Sequence, residues 1–325
     1  MSAPDGPQIG AIGAVAPAVA SRLEDRFAVG IGFMLLGVLS FPLMNASVKF
    51  LTGFYPVLMI VCLRYVSHFL FTAAAFTPRY GWRLYVPSRP WMQLARSLLL
   101  LTSTACYFFA LTALPLTTAV TIGFTTPLIV TALSMPLLGE RVGIYRWTAV
   151  ALGFAGAVII LQPWGAGPQA DADVVSPYLA AGSSFCSASA YAFYQILSRK
   201  LAAHDPPETS IVFTATVAVV ITGIAALFVV DWVPIQAWWH LLLFAATGFI
   251  GGFAHYFVTR AFVYAPAALL SPFGYGQLLT ATALGYVIFG DFPDAWTWLG
   301  AAIVTASGLF ITWREYLAAR ARRQI

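Results

Sequence analysis

The strongest constraint on this chain is an internal duplication, because its second half matches its first without a gap when shifted by about 151 positions. Matching pairs run through the whole unit and include Ser47 with Ser198, Lys49 with Lys200, Pro115 with Pro266, Gly123 with Gly274, Glu140 with Asp291 and Trp147 with Trp298. The sequence therefore predicts that one structural unit is used twice.

The composition assigns both units to the membrane. Of the 325 residues, 60% are hydrophobic and 9% are charged, and apolar windows approaching the ~20 residues that cross a bilayer recur from Phe27 onward. Residues 1–26 are rich in Ala, Gly and Pro and lack the basic start of a cleaved signal, so we expect a disordered cytoplasmic tail there. No water-soluble domain is predicted.

Apolar runs between charged residues, Pro and Gly predict an all-α polytopic membrane protein with ten transmembrane helices. Their expected ranges are 28–50, 55–77, 93–113, 117–138, 145–162, 177–199, 209–231, 238–261, 268–289 and 296–314. The first repeat then occupies 27–163, an external linker 164–175, the second repeat 176–316 and a basic cytoplasmic tail 317–325. Because each repeat has five spans, an odd number, the second copy must be inverted in the membrane, as in many transporters.

The basic residues predict the orientation. With a cytoplasmic N-terminus, fifteen of the seventeen Lys and Arg residues, Arg96 among them, fall in cytoplasmic segments. Only Lys49 lies toward the other face, and only Arg64 lies within a span. The positive-inside rule therefore places both termini in the cytoplasm of a bacterial-type inner membrane. The basic residues that set the membrane orientation also account for the net charge of +5, so no nucleic-acid partner is expected.

The sequence lacks the signatures of an enzyme or a metal site. It contains no GxSxG, HExxH or phosphate-binding loop, and its twelve Asp and Glu fall in loops, in tails or at the ends of spans. Cys62, Cys106 and Cys186 lie in predicted spans without CxxC spacing and are expected to be packing residues. We therefore expect no catalytic residue, no metal and no cofactor.

Arg64 is predicted to lie near the middle of the bilayer, ~13 Å past the start of the second span. Two interpretations are open: it brackets backbone carbonyls of a broken helix, or it binds a carboxylate or phosphate of a substrate. His68 follows one turn later on the same face, either as a packing residue or as a proton carrier. Their repeat mates are Ala215 and Val219, so the duplicated fold requires neither group.

Pro and Gly interrupt corresponding helices of the two repeats, which is typical of a binding site at the membrane midplane. The expected breaks or hinges are Pro42, Gly123, Pro127, Pro272 and Gly274. Together with Arg64, the candidate substrate ligands are Asn45, Lys49, Tyr107, Tyr191, Tyr194, Gln195, Tyr275 and Gln277. Each aromatic residue taken alone also fits packing or lipid contact, and it is their convergence that indicates a cavity. If protons drive transport, His68 or His255 must carry them.

Several segments resemble a known family. Residues 96–163, with Ala110-Leu-Thr-Ala-Leu-Pro115, Thr126-Pro127-Leu128 and Leu138-Gly139-Glu140-Arg141, are similar to the EamA repeat of the drug/metabolite transporter superfamily. Ser271-Pro272-Phe273 and the segment from Phe289 to Gly300 resemble the second repeat, so the similarity extends over about residues 28–316. The resemblance implies a ten-helix secondary carrier whose cavity opens alternately to either side, with substrates such as amino acids, S-adenosylmethionine or riboflavin.

The sequence thus favours a metabolite carrier in contact with the lipid bilayer. The alternative is a receptor or scaffold that binds a lipid or a partner protein and transports nothing; a membrane-embedded enzyme ranks third. Gly248 and Gly252 form a GxxxG pattern, which fits either close helix packing within the bundle or a homodimer face.

Overall fold

The protein is described from a computed structural model, which covers residues 12–138, 144–162, 176–201, 204–264, 270 and 273–322. Within these residues the chain is helical and has no β-strand. The helices are α1 (Ile12–Thr52), α2 (Val57–Tyr80), α3 (Pro90–Ala110), α4 (Leu116–Gly123), α5 (Thr126–Leu138), α6 (Ile144–Leu161), α7 (Pro177–Leu201), α8 (Pro207–Phe228), α9 (Trp238–Tyr264), α10 (Gly276–Leu284) and α11 (Ala295–Arg322).

Each of the ten predicted spans contains one helix, except the fourth, which is divided between α4 and α5, and the ninth, in which α10 follows a turn at Tyr275 and is followed by a π turn. Five segments of the described residues are long and apolar enough to cross a membrane: Ala28–Thr52, Val57–Tyr85, Leu116–Leu133, Pro207–Phe228 and Trp238–Val258. Three shorter apolar helices are Trp147–Leu161, Gly276–Phe289 and Ala295–Ile311. The polytopic all-α architecture predicted from the sequence is confirmed.

Proline and glycine determine several helix ends. Pro90 and Pro207 occupy the first positions of α3 and α8, where the missing N–H breaks no helical hydrogen bond. Gly81 ends α2 with φ of +67°, a conformation that favours glycine. Helix α1 begins at Ile12, so the backbone is helical through part of the segment for which the sequence predicts disorder. Its alanine-rich composition there favours a helix, and the predicted domain boundaries remain predictions.

The packing of the helices follows the duplication. Helix α1 packs extensively on α9, and α3 packs on α7. Because α7 is the repeat counterpart of α1, and α9 that of α3, these two interfaces are one contact formed twice. Helix α6 packs on α11, which is its repeat counterpart, and α2 packs on its counterpart α8. The two repeats therefore interlock around a pseudo-two-fold axis.

Contacts between loops show that the repeats are inverted. The Tyr55 hydroxyl, in the loop after α1, lies 2.6 Å from His240 Nδ1 and accepts the Gln236 backbone N–H at 3.0 Å. The equivalent loop after α7 lies at the other end of the bundle, where the Asp205 carboxylate accepts the Ser88 N–H at 2.8 Å. We call the end of the bundle that contains Tyr55 the α1–α2 end, and the end that contains Asp205 the α2–α3 end. One connection of the repeat thus occupies opposite ends in the two copies.

The interruptions in the fourth and ninth spans face each other. Helix α4 ends at Gly123 and α5 begins at Thr126, while α10 begins at Gly276 after a turn at Tyr275. The rings of Phe124 and Tyr275, which are repeat mates, lie 5.0 Å apart. A π turn, Gly285–Phe289, further departs from regular α-helix at the end of α10. Irregular backbone is therefore concentrated at the interface between the repeats.

Candidate functional site

Arg64 lies on α2 in the interior of the bundle, with only 3% of its surface exposed. Helix α2 starts at Val57, so Arg64 is ~10 Å along it at ~1.5 Å per residue. The guanidinium is flanked by the rings of Tyr65 and Phe108, whose centroids are 4.8 and 5.5 Å away. These cation–π contacts partly replace the hydration that burial removes.

The guanidinium of Arg64 has donors without acceptors. Among the described residues, Nε and Nη1 have no hydrogen-bond partner, and Nη2 contacts only the Met44 sulfur, at 3.8 Å. A buried charged group without such partners is costly, and native proteins rarely keep one unless it has a role. Of the two interpretations given above, a bracket for backbone carbonyls receives no support from these contacts.

Helix α9 holds Arg64 in place by approaching α2 unusually closely. A Cβ atom at Gly248 would collide with the Arg64 carbonyl oxygen, and one at Gly251 would lie 3.0 Å from Arg64 Nη2. A Cβ at Gly252 would lie 3.1 Å from His68 Cδ2. The GxxxG pattern is thus used inside the bundle to bring α9 against the two polar residues of α2. A homodimer remains an untested prediction.

Two histidines stand near this arginine. His68 is 2% exposed, and neither of its ring nitrogens has a hydrogen-bond partner within the described part of the chain. His255, on α9, contacts the ring of Phe41 at 5.0 Å and that of Tyr191 at 6.4 Å. Both candidate proton carriers therefore belong to one buried region together with Arg64.

A second buried arginine was missed by the sequence analysis. Arg96 was expected in a cytoplasmic segment, but it lies within α3 and is 5% exposed. Each nitrogen of its guanidinium donates at least one hydrogen bond, and the acceptors are Ser198 Oγ at 2.7 Å, Thr214 Oγ1 at 2.9 Å, the Tyr194 hydroxyl at 2.8 Å and the Ser210 carbonyl at 3.2 Å. The signal was available, because Gln93, Arg96 and Ser97 follow the i, i+3, i+4 spacing of one helix face.

The hydrogen-bond network of Arg96 continues to the α2–α3 end. Gln93 Nε2 donates to Ser210 Oγ at 2.8 Å and to the Asp205 carboxylate at 3.0 Å. Burial alone would raise the pKa of Asp205, but hydrogen bonds from Gln93 and Ser88 stabilise the carboxylate more strongly and hold its pKa below the usual value. Asp205 is therefore ionised at neutral pH and fastens α3 to the start of α8.

The structure brings some of the predicted ligands together. Asn45 Nδ2 lies 3.4 Å from the Tyr107 hydroxyl, and the Oδ1 atom of Asn45 has no partner among the described residues. Tyr191 and Tyr194 stack with ring centroids 5.2 Å apart, and Tyr194 also covers the guanidinium of Arg96. These side chains, with Arg64 and the two histidines, line the interface where the two repeats meet.

Other predicted ligands lie elsewhere. Lys49 forms an ion pair with Asp291 at 3.0 Å and donates to the Leu114 carbonyl at 3.0 Å, both at the α1–α2 end. Tyr275 packs against Phe124 and Gly308, and Gln195 and Gln277 are half-buried. Pro42 is buried within an uninterrupted α1, whereas Pro127 is exposed at the start of α5. Gly274 lies just before the turn at Tyr275, and Pro272 lies outside the described residues.

The enclosed space between these groups is small. A void of about 10 Å³ lies among His68, Arg96, Tyr194, Thr214 and His255, room for a single water-sized molecule. A larger groove of about 590 Å³ runs between α2 and α9, but its lining is apolar, as lipid contact requires. In the described parts of the chain no cluster of His, Cys, Asp and Glu is arranged to hold a metal ion.

The fold and these contacts define a polytopic membrane protein made of two interlocked, inverted repeats that bury polar groups at their interface. The chain belongs to the EamA-like transporter family, whose model matches residues 28–162 and 178–313. It is a transporter of small metabolites and not an enzyme, in agreement with the two EamA repeats inferred from the sequence.

Two named relatives support this assignment, and one solved structure shares the fold. A riboflavin transporter of Rhizobium johnstonii is 33% identical over 295 residues, covering 90% of this chain and 93% of that protein. An S-adenosylmethionine uptake transporter of Rickettsia prowazekii is 28% identical over 240 residues, covering 74% and 78%. A protein of known crystal structure, 20% identical, matches the fold with a TM-score of 0.61 over 92% of this chain and 99% of that one.

Proposed function

We propose that this protein carries a small polar metabolite across the inner membrane by alternating access, with the substrate bound between the two repeats at Arg64. The observation that carries the proposal is the buried guanidinium of Arg64, whose Nε and Nη1 have no acceptor among the described residues. Such donors suit the carboxylate or other acidic group of a substrate. Asn45 and Tyr107 then supply polar contacts, and Tyr191 and Tyr194 supply stacking.

The small enclosed volume fits this mechanism. The void of about 10 Å³ beside His68, Arg96 and His255 cannot hold a metabolite, so binding of a substrate there requires the repeats to move apart. The interrupted spans at Phe124 and Tyr275 provide flexible positions for that movement, because their backbone is not locked into continuous helices. Rocking of the two repeats would open the site first to one face and then to the other.

The orientation and the energy source belong to the same proposal. The distribution of Lys and Arg supports a cytoplasmic position for both termini. If protons drive the cycle, His68 or His255 carries them, since no carboxylate of the described residues lies in the interior of a span. Exchange without protons is the alternative, and a rate of uptake indifferent to a pH gradient would eliminate the histidine mechanism.

The candidate substrates are an amino acid or related zwitterion, a riboflavin-like solute and an S-adenosylmethionine-like solute. Purified full-length protein in liposomes should take up at least one radiolabelled member of this set faster than empty liposomes. The variant Arg64→Ala should be inserted and folded but reduce uptake to the background rate. Tight binding of these compounds without any uptake would favour the receptor or scaffold alternative and refute the carrier.

A matched variant separates the two roles of Arg64. Arg64→Lys keeps the positive charge but loses the planar donors, so it should retain partial uptake. If Arg64→Ala instead yields no folded protein while Arg64→Lys is normal, the side chain has a structural role and the site assignment is wrong.

A further inference from the structure

The interface between the repeats contains two permanent positive charges, and Asp205, the carboxylate in the network of Arg96, is linked to that arginine through Gln93 and Ser210 rather than by an ion pair. Arg64 and Arg96 are 3% and 5% exposed, and among the described residues no carboxylate pairs with either. The one ion pair that those residues form joins Lys49 to Asp291 at the α1–α2 end. Charges in the membrane interior are normally paired or neutralised, so this arrangement leaves a deficit of negative charge.

Hydrogen bonding does not remove that deficit. The acceptors around Arg96 are hydroxyl groups and a backbone carbonyl, which satisfy its N–H donors but carry no net charge. Among the described residues, the guanidinium of Arg64 is flanked by aromatic rings, a thioether and the backbone of Gly251, none of which carries a negative charge. His68, one helical turn after Arg64 on α2, and His255 line one void together with Arg96, so the two arginines border the same region.

Aromatic surfaces border the same region. The stacked pair Tyr191 and Tyr194 lies on one side, with Tyr194 over the guanidinium of Arg96. Phe41 contacts the ring of His255, and Tyr65 contacts that of His68 with ring planes only 20° apart. A ligand with a planar ring can stack on such surfaces, and because the ring is rigid it loses little conformational freedom on binding.

We infer that the substrate is a planar aromatic organic anion, whose acidic group serves as the missing counter-ion for Arg64 within the field of Arg96. A compound with a net positive charge is excluded by the same two guanidiniums. The inference rests on the proposed function and narrows it: of the candidate substrates, solutes related to S-adenosylmethionine, which has a net positive charge, are rejected, and a riboflavin-like solute fits only if it carries an acidic group, since riboflavin itself is uncharged at neutral pH.

Three probes of one shape and different charge test the inference. The thermal stability of the detergent-solubilised full-length protein is measured with 2-naphthoate, 2-naphthalenemethanol and 2-naphthylmethylammonium at neutral pH. A ligand that binds only the folded protein raises its apparent Tm. We expect the anion to bind at least about tenfold more tightly than the cation, because a charge-assisted hydrogen bond is worth that factor or more. The neutral alcohol should fall between them.

Variants identify the group responsible. Arg64→Gln should abolish the preference for the anion, while Gly223→Ala, whose added Cβ meets nothing within 4 Å, should retain it. Should Arg64→Gln not fold, Arg64→Lys replaces it and should keep the anion preference with weaker binding. Equal shifts with all three probes, or a larger shift with the cation, overturn the inference.

The proposed function fails under different results. Selective stabilisation by 2-naphthoate without uptake of any solute by liposomes would leave the anion site standing and refute the carrier. Saturable uptake of a net cation by the wild-type protein would leave the carrier standing and refute the anion site.

Discussion

Arg64 and Arg96 are both buried between the repeats, on neighbouring helices, yet their surroundings differ. Arg96 directs its guanidinium to four oxygen acceptors on α7 and α8 and thereby ties three helices together. Arg64 meets rings, a sulfur atom and the bare backbone of a glycine. The contrast shows that burial alone does not distinguish a structural arginine from a ligand-binding one. The two kinds are distinguished by whether the N–H donors of the guanidinium have hydrogen-bond acceptors within the protein.

The largest expected effect separates the two arginines by stability. Hydrogen bonds to a charged donor contribute about 1.5–3 kcal/mol each in water-soluble proteins and less in membranes, so Arg96→Ala should lower the free energy of unfolding by about 2–4 kcal/mol. Arg64→Ala breaks no hydrogen bond to oxygen and should change it by less than about 1 kcal/mol. Reversible unfolding in mixed micelles measures both, and equal losses would contradict the division of roles.

A smaller effect is expected from crowding Arg64 without removing it. In Gly251→Ala the new methyl group lies 3.0 Å from Arg64 Nη2 and 2.8 Å from the Met44 sulfur, so the guanidinium must shift. We expect uptake to fall by less than about tenfold, since the guanidinium must move only slightly but the position of a binding group affects the rate strongly. Gly182→Ala, where nothing lies within 4 Å, is the matched control. Normal uptake by Gly251→Ala would show that the position of Arg64 is unimportant.

The network of Arg96 should also show a dependence on pH. The folded protein holds the pKa of Asp205 below its usual value, so its stabilising contribution is present above the unfolded pKa of about 3.9. That contribution is lost as the pH falls through the folded pKa. Asp205→Asn should be less stable than wild type at pH 7, with the difference shrinking in acid. A difference in Tm that stays constant from pH 7 to pH 3 would remove Asp205 from the network.

The smallest effect concerns Lys49, which the sequence analysis grouped with Arg64. Because Lys49 is engaged by Asp291 and the Leu114 carbonyl, Lys49→Gln should change the KM for uptake by less than about twofold. The partly exposed ion pair should contribute at most about 1 kcal/mol to stability, and less in high salt. A large rise in KM in Lys49→Gln would return Lys49 to the substrate site.

Much of the fold follows from the sequence because its causes are local. The lengths of the apolar runs determine the ten spans, and Gly and Pro mark the interruptions near Phe124 and Tyr275. Arg64 and His68 were found because a charge in an apolar run is conspicuous. The arithmetic of an odd number of spans per repeat was enough to predict the inversion that the loop contacts display.

The rest depends on contacts between distant segments. Arg96 lies close to the start of α3. At such a position the sequence looks the same whether the arginine is exposed to solvent or buried beneath α7 and α8. The pairing of Lys49 with Asp291 joins residues from different repeats, and nothing local to either residue indicates it. Which donors find acceptors is decided by tertiary packing, and that is the property on which the site assignment depends.

The two loop contacts at opposite ends of the bundle have a consequence for a carrier of this design. At one end a phenol meets an imidazole and a backbone amide; at the other a carboxylate meets an amide side chain and a backbone amide. If an inverted duplication made identical contacts at its two ends, its inward-facing and outward-facing forms would be equal in energy. On the proposed alternating-access mechanism, the different contacts at the two ends would make the two forms unequal in energy, and the empty protein would then rest with its binding site directed toward one compartment.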